Sequence, residues 1–548
     1  MTTFRTPVDA LLHWEQTVPT QVYLRQPIEG SYHEYTWSQV ASMVRKMAQG
    51  MLNEGVQAGD RIAILAKNSA EWFIVDMAIT YIGAVSVPIY STANAKTIRY
   101  VLAHSGARML FVGKLDNWEI QHEGVPSNIP MVAMPYPTMP AQFQWQQWLE
   151  NEEASQPFQW SPEQTMTLIY TSGTTGDPKG AEISFNAYQY ACENIIVLLG
   201  AQASERLMSY LPLAHITERV FIQGSSIFHG GMSVSFVESL DTFADNMRSV
   251  RPTLFISVPR LWAKFQHGVF EKLPPRKLNI LLSIPVISGL IKAKIHKGIG
   301  LDQARILGCG SAPIAPSLLR WYERIGLNIS EAWGMTENLA YGTLNIPFRS
   351  DKVGTIGKAA PGVELKISDD GEILCRCEAS MSSYYLNTEK TEETIIDGWL
   401  HTGDKGQLDD DGYVTITGRI KESFKTTKGK YVAPVPIEQL VSRNSMIEQV
   451  CVVGAALTQP IALVVMAPEV KSHSQAQVKS SLERTLEIVN KKLESHERLG
   501  HIVVLNEEWN VENSLLTPTL KIIRENIENK FAELIAQQSD DKVVFEPK

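Results

Sequence analysis

The 548-residue chain lacks any long uninterrupted run of apolar residues, so its sequence predicts no membrane-spanning helix. It has no excess of Lys and Arg, and a net charge of −9 argues against nucleic acid as its main partner. The first residues, MTTFRTPVDALLHWEQ, lack the basic segment and apolar core of a secretory signal. These absences predict a cytoplasmic protein, with peripheral contact at the inner face of the membrane left open.

Cysteine is also scarce, with five residues, namely Cys192, Cys309, Cys375, Cys377 and Cys451. Cys375 and Cys377 alone lie close in sequence, and C-x-C without partner ligands makes a poor metal site. In the strand-like segment GEILCRC both side chains point to one face, which favours core positions. We expect reduced, structural cysteines.

The length exceeds what one hydrophobic core usually supports, so two or more domains are expected. A helical pattern at Thr36–Leu52 precedes a short apolar strand in GVQAGDRIAILAKNS. A second helical pattern near Glu71–Ile82 precedes the strand GAVSVPIY. Such alternation predicts an α/β fold with layered, mostly parallel sheets covered by helices.

The composition changes after Trp399, where short strands alternate with turns rich in Gly, Asp and Lys. DDDG (Asp409–Gly412) predicts a hairpin turn between QL and YVTITG. Beyond Pro436, helical patterns and the strands VCVVGA and IALVVMA predict a small α+β unit. We therefore predict a large N-terminal domain (1–418), a hinge (419–421) and a C-terminal domain (422–548).

The segment YTSGTTGDPKG (Tyr170–Gly180) has a composition suited to an anion, most plausibly a phosphate. Its glycines let backbone N–H groups converge on one point, and its hydroxyls and Lys179 add further donors. It is not a Walker A loop, because Pro178 replaces the second glycine and Gly180 follows the lysine. It follows the buried-strand pattern TMTLIY, and ligands of parallel sheets bind beyond strand ends. Composition alone equally allows a flexible linker.

Other segments carry side chains suited to chemistry, namely EAWGMTEN (Glu331–Asn338), HTGD (His401–Asp404), TGRIK (Thr417–Lys421) and LLTPTLKIIR, which contains Lys521. Each has an ordinary structural explanation when taken alone. Trp333 suits a core, Asp404 suits a turn, and Lys521 suits a solvated surface. The segments must be weighed together.

In this order the segments resemble the acyl-adenylate-forming superfamily, which includes acyl-CoA synthetases, peptide-synthetase adenylation domains and luciferase-like enzymes. The resemblance runs from about Tyr35 to Arg524. Its most specific parts are YTSGTTGDPKG and GWLHTGDKGQLDDDGYVTITGRIKESFK. Within the superfamily the chain is most similar to long-chain fatty acyl-CoA synthetases, through SYLPLAHITERV, VPRLW, GCGSAPI and FKTTKGKYVAPVPIE.

The resemblance implies a two-step reaction. A fatty acid, expected to be long-chain, attacks Mg-ATP to give acyl-AMP and pyrophosphate, and coenzyme A then displaces AMP. It also implies an N-terminal AMP-binding domain and a mobile C-terminal domain that swings between the steps. The alternatives are an acyl-AMP ligase that uses a carrier protein or another acceptor, and a non-catalytic acyl or nucleotide sensor. Oligomeric state, monomer or homodimer, is not predicted.

The resemblance also implies roles for individual residues. Those expected to bind the nucleotide are Thr171, Ser172, Gly173, Thr174, Thr175, Gly176 and Lys179 at the phosphates, Gly310, Ser311 and Ala312 along the nucleotide, Trp333 on adenine, Gly334, Thr336 near the α-phosphate, and Asp404 and Arg419 at the ribose. Thr174 and Glu337 are the expected Mg²⁺ ligands. Trp333 stands where the family more often has Tyr.

Lys521 is the expected catalytic lysine, joining the acyl carboxylate to the phosphate. His215 is expected beside the acyl carboxylate as a gate or positioning group, since a carboxylate at pH 7 needs no base. Lys421 is the expected hinge residue. Lys425, Lys428 and Gly429 are expected to serve the thioester step, although the lysines also suit a solvated basic turn.

The sequence departs from the family at RCEASMSSYY, where Cys377 and Ser383 replace glycines. Val220–Phe228 and the pair Gly230-Gly231 are expected to line the acyl tail's tunnel, although glycine also commonly ends helices. Lys277–Gly300 alternates apolar runs with lysines. This pattern fits contact with a membrane surface or a helical hairpin packed on the body, and the sequence does not separate them.

Overall fold

The computed structural model describes the chain except residues 1–3, 137–139, 172–176, 421, 428, 445, 456, 469, 471–472, 518–520, 538, 540 and 548. Its strands are β1 (Val22–Ile28), β2 (Ser31–Thr36), β3 (Arg61–Ala66), β4 (Val85–Ile89), β5 (Met109–Gly113), β6 (Met131–Ala133), β7 (Phe143–Gln144), β8 (Thr165–Thr171), β9 (Lys179–Ser184), β10 (Arg206–Ser209), β11 (Ser233–Phe236), β12 (Leu254–Ser257), β13 (Ile306–Cys309), β14 (Ile329–Trp333), β15 (Thr343–Leu344), β16 (Lys358–Ala359), β17 (Glu364–Ile367), β18 (Glu372–Arg376), β19 (Ser383–Tyr384), β20 (Ile395–Ile396), β21 (Trp399–Leu408), β22 (Val414–Arg419), β23 (Phe424–Lys425), β24 (Tyr431–Val432), β25 (Ile447–Val453), β26 (Ile461–Met466), β27 (Ile502–Leu505) and β28 (Val543–Phe545).

The helices are α1 (Pro7–Thr17), α2 (Trp37–Asn53), α3 (Ala70–Tyr81), α4 (Ala95–Ser105), α5 (Trp118–Gln121), α6 (Trp145–Trp148), α7 (Phe185–Leu198), α8 (Ile216–Glu218), α9 (Ser225–His229), α10 (Phe243–Val250), α11 (Pro259–Lys272), α12 (Pro275–Ser283), α13 (Pro285–Gly298), α14 (Pro316–Ile325), α15 (Thr388–Thr394), α16 (Pro434–Val441), α17 (Gln475–Asn490), α18 (Arg524–Lys530) and α19 (Ala532–Ala536). A π-helical turn covers Arg219–Gly224, and 3₁₀ turns cover His122–Gly124, Thr336–Asn338 and Ser350–Lys352. Among the described helices, none has both the length and the apolar character that crossing a bilayer requires.

The largest sheet of the described chain has the order β19-β9-β8-β4-β3-β5-β6-β7. Strands β8, β4, β3, β5, β6 and β7 run parallel. β9 pairs antiparallel with β8, and β19 pairs antiparallel with β9. The predicted helices and strands of this region are found with boundaries shifted by one or two residues. Thr36 caps α2: its side chain accepts a hydrogen bond from the Gln39 backbone N–H, and the Gln39 side-chain oxygen accepts one from the Thr36 backbone N–H. The predicted α/β class with mostly parallel sheets is confirmed.

A second sheet, β12-β13-β14-β15-β16, separates a helical layer from the cavity described below. Side chains alternate along its parallel strands. Phe255 and Leu307 pack with Trp262 and Tyr322 of the covering helices α11 and α14. Ile256, by contrast, faces the cavity. This sheet therefore gives the cavity one rigid wall.

A third sheet, β17-β18-β21-β20, is antiparallel, and β22 pairs with its strand β21. The predicted hairpin turn is present: Gly412 has a φ of 80°, and the Asp409 carboxylate accepts hydrogen bonds from the backbone of Asp411 and Tyr413. In the β21–β22 register Asp404 lies opposite Arg419. Cross-strand pairing thus brings together Asp404 and Arg419, the two residues predicted to bind the ribose.

The C-terminal residues form the mixed sheet β25-β26-β27-β28 with α16 and α17, as the predicted α+β pattern indicates. Buried apolar residues between Phe424 and Val543 make clusters of their own, whereas the buried clusters of the preceding region end at Val414. The predicted hinge at 419–421 lies between these cores. Lys421 is outside the described residues, so the hinge stays a prediction.

The helix after PLAHITER is not a regular α-helix. It runs as α8, the π-helical turn and α9, and Gly230 ends it with a φ of 72°. A Cβ on Gly230 would lie 2.0 Å from the Trp14 ring, and one on Gly231 would lie 2.8 Å from the Ala203 carbonyl oxygen. The glycine pair therefore ends the helix and packs against protein, so the expectation that it lines the acyl tunnel is wrong. Phe221, which belongs to the segment Val220–Phe228 that was also expected there, does line the cavity.

The five cysteines are free, as expected, and Cys377 is the only one not fully buried. Burial raises the pKa of the Cys375 thiol to about 12 and that of Cys377 to about 11. Both thiols are therefore protonated at neutral pH and suit the predicted structural role.

A buried ion pair fixes the π-helical turn to α3. Arg219 is fully buried, with one guanidinium nitrogen 2.6 Å from Asp76 Oδ1 and its plane near the rings of Trp72 and Tyr188. We expect Asp76→Ala to lower the free energy of unfolding by about 3–5 kcal/mol, because it leaves a buried charge unpaired. Urea unfolding followed by tryptophan fluorescence measures this loss. Glu364→Ala, which breaks an exposed pair with Arg376, should change stability by at most about 1 kcal/mol. Equal losses in both variants would contradict the account.

Candidate active site

The predicted phosphate loop lies between two antiparallel strands. β8 ends at Thr171 and β9 begins at Lys179, and these two residues pair across the hairpin. The loop leaves the end of a buried strand, as predicted, and it returns antiparallel beside that strand. Residues 172–176 lie outside the described part of the chain, so the roles of Ser172, Gly173, Thr174, Thr175 and Gly176 stay predictions.

Tyr384 links this hairpin to Glu337. It lies on β19, which pairs with β9. Its hydroxyl donates a 2.5 Å hydrogen bond to Glu337 Oε1, and the Lys179 ammonium lies 5.7 Å from its ring centroid. Burial and the Glu337 charge raise the Tyr384 pKa, so the phenol keeps the proton that it donates. Sequence reasoning missed Tyr384, although it lies within SSYY of the divergent segment.

The chain between Trp333 and Tyr341 folds tightly around Thr336 and Glu337, both of which are buried. Leu339 and Ala340 adopt left-handed φ values of 52° and 54°. A Cβ on Gly334 would lie 2.5 Å from Ala340 Cα, so only glycine fits there. Successive strained residues of this kind cluster at functional sites.

Trp333, Asp404 and Arg419 form a hydrogen-bonded group. The Trp333 indole Nε1 donates a 2.8 Å hydrogen bond to Asp404 Oδ2, and Arg419 Nε lies 2.8 Å from Asp404 Oδ1. Gly342 holds the indole from the other side, where a Cβ would lie 2.7 Å from ring atom Cε3. The Asp404 carboxylate is 5% exposed, so its charge is compensated mainly by these two donors.

The predicted nucleotide wall follows β13. Gly310 donates a backbone hydrogen bond to the Ser257 carbonyl, and Ser311 has a left-handed φ of 66°. Gly310, Ser311, Trp333 and Gly334 line one cavity, together with apolar side chains that include Phe221. Ala312 is exposed beyond the cavity. Part of the predicted nucleotide wall and Trp333, which is predicted to stack on adenine, therefore line the same cavity.

Lys521 comes from the far end of the chain to the same charged group. Desolvation and the positive charge of Arg419 lower its pKa, while the carboxylates of Asp404 and Glu337 oppose that shift. Lys521 is exposed to solvent, so its desolvation is incomplete. The structure therefore brings Lys521, Asp404, Arg419 and Glu337 within electrostatic range of one another.

His215 lies near Lys521 and is neutral. Burial and then the Lys521 charge lower its pKa to about 3. Its Nδ1 accepts a 3.2 Å hydrogen bond from the Thr217 backbone, which assigns the remaining proton to Nε2. A neutral Nε2–H donor suits positioning of a carboxylate and leaves His215 a poor proton acceptor.

Glu218 is a buried acid that sequence reasoning missed. Its Oε1 accepts hydrogen bonds from Ser209 at 2.7 Å and from the Tyr210 backbone at 3.0 Å. Burial nevertheless raises its pKa to about 8, so the folded protein holds this proton at neutral pH. Its position within PLAHITER is the only feature of the sequence that could have marked it.

This pKa has a consequence for stability. The unfolded chain releases the Glu218 proton near its ordinary pKa of 4.5, so the folded state binds more protons between pH 4.5 and about 8. We expect the free energy of unfolding to fall as pH rises through this window, by up to about 1.4 kcal/mol per pH unit. Glu218→Gln should flatten that slope, whereas Glu163→Gln at an exposed site should preserve it. An unchanged slope in Glu218→Gln would contradict the account.

Two of the residues predicted for the thioester step lie on a separate hairpin. Lys425 and Gly429 belong to the β23–β24 hairpin, where Lys425 is exposed and its ammonium lies 5.6 Å from the Tyr431 ring centroid. Gly429 has a φ of 76° and closes the turn through a hydrogen bond to Thr426. Lys428 is outside the described residues, and the roles of all three stay predictions.

The donor set fits a magnesium ion that arrives with its nucleotide. Among the described residues there is no cluster of three or more His, Cys, Asp or Glu side chains that could enclose a metal. Mg²⁺ typically keeps several waters and binds one or two protein oxygens plus substrate phosphates. The buried Glu337 carboxylate, oriented by Tyr384, matches that requirement.

Comparisons with known proteins agree with this architecture. The AMP-binding enzyme family profile matches residues 13–385, and the AMP-binding enzyme C-terminal domain profile matches residues 423–542. The chain is 29% identical to the long-chain-fatty-acid–CoA ligase FadD15 of Mycobacterium bovis, covering 94% of each chain. It is 28% identical to the peroxisomal long chain acyl-CoA synthetase 7 of Arabidopsis thaliana, covering 96% of this chain and 85% of the relative.

The fold also resembles solved structures. O-succinylbenzoate coenzyme A synthetase (MenE) of Bacillus subtilis, in complex with ATP and magnesium ion, superposes with a TM-score of 0.74 and 21% identity. The match covers 95% of this chain and 99% of that one. The family profile covers well over half of the sequence, and the chain therefore belongs to the AMP-binding enzyme family.

Proposed function

We propose that the protein is an ATP-dependent fatty acid–CoA ligase that forms acyl-CoA, AMP and pyrophosphate. The observation that carries the proposal is the approach of Lys521 to Glu337, Asp404 and Arg419. Lys521, a cation from the C-terminal region, thereby lies in the electrostatic field of Asp404 and Glu337, two carboxylates that suit a magnesium-bound nucleotide. The names of the relatives, which are long-chain-fatty-acid–CoA ligases, support the reaction class.

The first step must bring two anions together. The carboxylate oxygen of the fatty acid forms a bond to the α-phosphorus of ATP, and the bond from that phosphorus to the bridging oxygen of pyrophosphate breaks. We assign Lys521 the role of neutralising and holding both anions, because preorganised cations stabilise charge where it develops. The His215 Nε2–H orients the acyl carboxylate.

The nucleotide is held by the remaining predicted residues. Thr171, Lys179 and the loop between them contact the β- and γ-phosphates, and Thr336 lies by the α-phosphate. Glu337 and Thr174 hold Mg²⁺, which when bound neutralises phosphate charge. Trp333 stacks on adenine beside the wall formed by Gly310, Ser311, Ala312 and Gly334. Asp404 accepts hydrogen bonds from the ribose hydroxyls, and Arg419 donates to the ribose.

The second step needs a different arrangement of the C-terminal domain. The thiol sulfur of coenzyme A bonds to the acyl carbonyl carbon, the bond from that carbon to the AMP oxygen breaks, and the thiol proton leaves to solvent. Rotation about the hinge near Lys421 withdraws Lys521 and presents Lys425, Lys428 and Gly429 to the cleft. Their exposed hairpin is available for such a movement.

A long-chain acid is the proposed substrate. Apolar side chains of Leu199, Phe221, Ile256, Leu344 and Ile346 line the cavity that also contains Trp333. This lining favours an alkyl chain over a polar acid. The names of the curated relatives support the same preference.

The test is ATP- and CoA-dependent thioester formation with carboxylic acids from acetate to the C18 acid. We expect long-chain acids to give acyl-CoA with equal amounts of AMP and pyrophosphate. Accumulation of acyl-AMP with CoA unused would replace this proposal with transfer to a carrier protein or another acceptor. Absence of pyrophosphate exchange with every acid would favour the non-catalytic sensor.

Tyr384 offers a sharper test of the proposed magnesium site. Tyr384→Phe removes the hydrogen bond to Glu337, and bonds to charged groups contribute about 1.5–3 kcal/mol. We expect pyrophosphate exchange to fall at least about tenfold, with more Mg²⁺ needed for half-maximal rate. The control is Tyr385→Phe in the neighbouring position, which should keep both values. If the two variants behaved alike, Tyr384 would have no role in the proposed magnesium site.

A further inference from the structure

The segment that the sequence left open, Lys277–Gly300, is a helical hairpin. Helices α12 and α13 meet at Ile284 and pack on the body through the buried side chains of Leu278 and Ile295. His296 Nε2 donates a 2.9 Å hydrogen bond to the Ile325 carbonyl at the end of α14. One face of the hairpin is thus fixed to the protein.

The opposite face of the hairpin exposes large apolar side chains to solvent. Ile280 is 63% exposed, Ile284 41%, Val286 80% and Leu290 69%. Val286 and Leu290 are four residues apart on α13 and therefore share a helix face. Isolated exposed aliphatic residues are ordinary, but a contiguous group marks an interaction surface.

The charged residues within the hairpin segment itself have one sign. Residues 273–300 contain Arg276, Lys277, Lys292, Lys294 and Lys297, without a single Asp or Glu, in a chain whose net charge is −9. Lys294 lies four residues beyond Leu290, on the same face of α13. Lysine stems can lie along apolar surface while their ammonium groups reach outward. The patch is therefore an aliphatic tip flanked by cations.

We propose that the α12–α13 hairpin docks the protein on an anionic lipid bilayer. The aliphatic tip enters the boundary between head groups and acyl chains, and the lysines and Arg276 meet anionic head groups. The opposite charge of the rest of the chain makes this segment the part that an anionic surface attracts. Residues 273–300 contain no Phe, Trp or Tyr, which argues against a protein partner, since aromatic anchors dominate protein interfaces.

Docking in this way leaves the proposed catalytic cavity clear. The hairpin packs with Phe255 and Leu307 on the helix-covered face of β12 and β13. Ile256 and Gly308 of the same strands face the cavity. The bilayer surface and the cavity therefore lie on opposite sides of this sheet.

The test is co-sedimentation of the full chain with phosphatidylcholine vesicles, with and without phosphatidylglycerol, in the absence of substrates. We expect binding only when phosphatidylglycerol is present. Val286→Glu with Leu290→Glu should lower the partition coefficient at least about tenfold, since two aliphatic side chains are lost from the boundary. Lys294→Gln with Lys297→Gln should lower it about fivefold for each cation removed.

The matched control is Val197→Glu with Leu240→Glu, which places the same charges at other exposed sites, 77% and 84% exposed. It should bind vesicles nearly as well as the unaltered chain. The proposal is overturned if the unaltered chain stays in the supernatant with anionic vesicles, or if both glutamate variants lose binding equally. It is also overturned if light scattering shows a dimer that only the hairpin variant dissociates while vesicle binding is unchanged. None of these readouts depends on the proposed ligase activity.

Discussion

Lys521→Ala should reduce acyl-AMP formation about 10²–10³-fold, the loss expected when one preorganised charge-stabilising donor is removed. The ammonium lies in the electrostatic field of Asp404 and Glu337 and is the cation proposed to hold two reacting anions. Transfer of the acyl group from supplied acyl-AMP to coenzyme A should fall less than about tenfold, because that step uses another domain arrangement. Pyrophosphate exchange and single-turnover thioester formation measure the two steps separately.

Lys530→Ala is the matched control for this variant. Lys530 is a partly exposed lysine of the same C-terminal region, paired with Glu507. Its removal should leave both half-reactions unchanged. Equal losses of both half-reactions in Lys521→Ala, or no loss of adenylation, would remove Lys521 from the proposed role.

Asp404→Asn should raise the KM for ATP about 100-fold, because two hydrogen bonds to a charged acceptor, each about 1.5–3 kcal/mol, are weakened together. The carboxylate also compensates Arg419 and accepts from the Trp333 indole. Loss of its charge should therefore loosen Trp333 as well as weaken the proposed contact to the ribose. Steady-state kinetics with varied ATP, and calorimetric binding of AMP, measure the effect.

Asp409→Asn provides the comparison within the same hairpin. Asp409 pairs with Lys352 near the surface and lies away from the indole. We expect its KM for ATP to stay within about twofold of the unaltered protein, as is usual for exposed pairs. If Asp404→Asn changed thermal stability but left the KM for ATP unchanged, Asp404 would be a purely structural residue.

The sequence predicted the parts of this protein that depend on local patterns. The capped helix at Thr36, the buried strand before Thr171 and the hairpin turn at Asp409–Gly412 follow from spacing and turn chemistry alone. The residues proposed to bind the nucleotide were recognisable because they fall in short motifs at strand ends. The prediction that these motifs meet in one site came from the family resemblance, because no spacing rule places Lys521 near Glu337.

What the sequence did not predict depends on tertiary contacts. Tyr384 is marked only by its hydrogen bond from β19 to Glu337 in the 3₁₀ turn Thr336–Asn338. The acidity of Glu218 depends on burial that no local pattern reveals. Gly230 fits two explanations in sequence, and the Trp14 ring beside it decides between them.

The most direct measurement is a crystal structure with a non-hydrolysable acyl-adenylate analogue bound. The account predicts the adenine against Trp333, the ribose hydroxyls on Asp404, and the acyl–phosphate linkage within reach of Lys521. An adenylate bound in another cavity, with Lys179, Glu337 and Asp404 making no contact to it, would contradict the account.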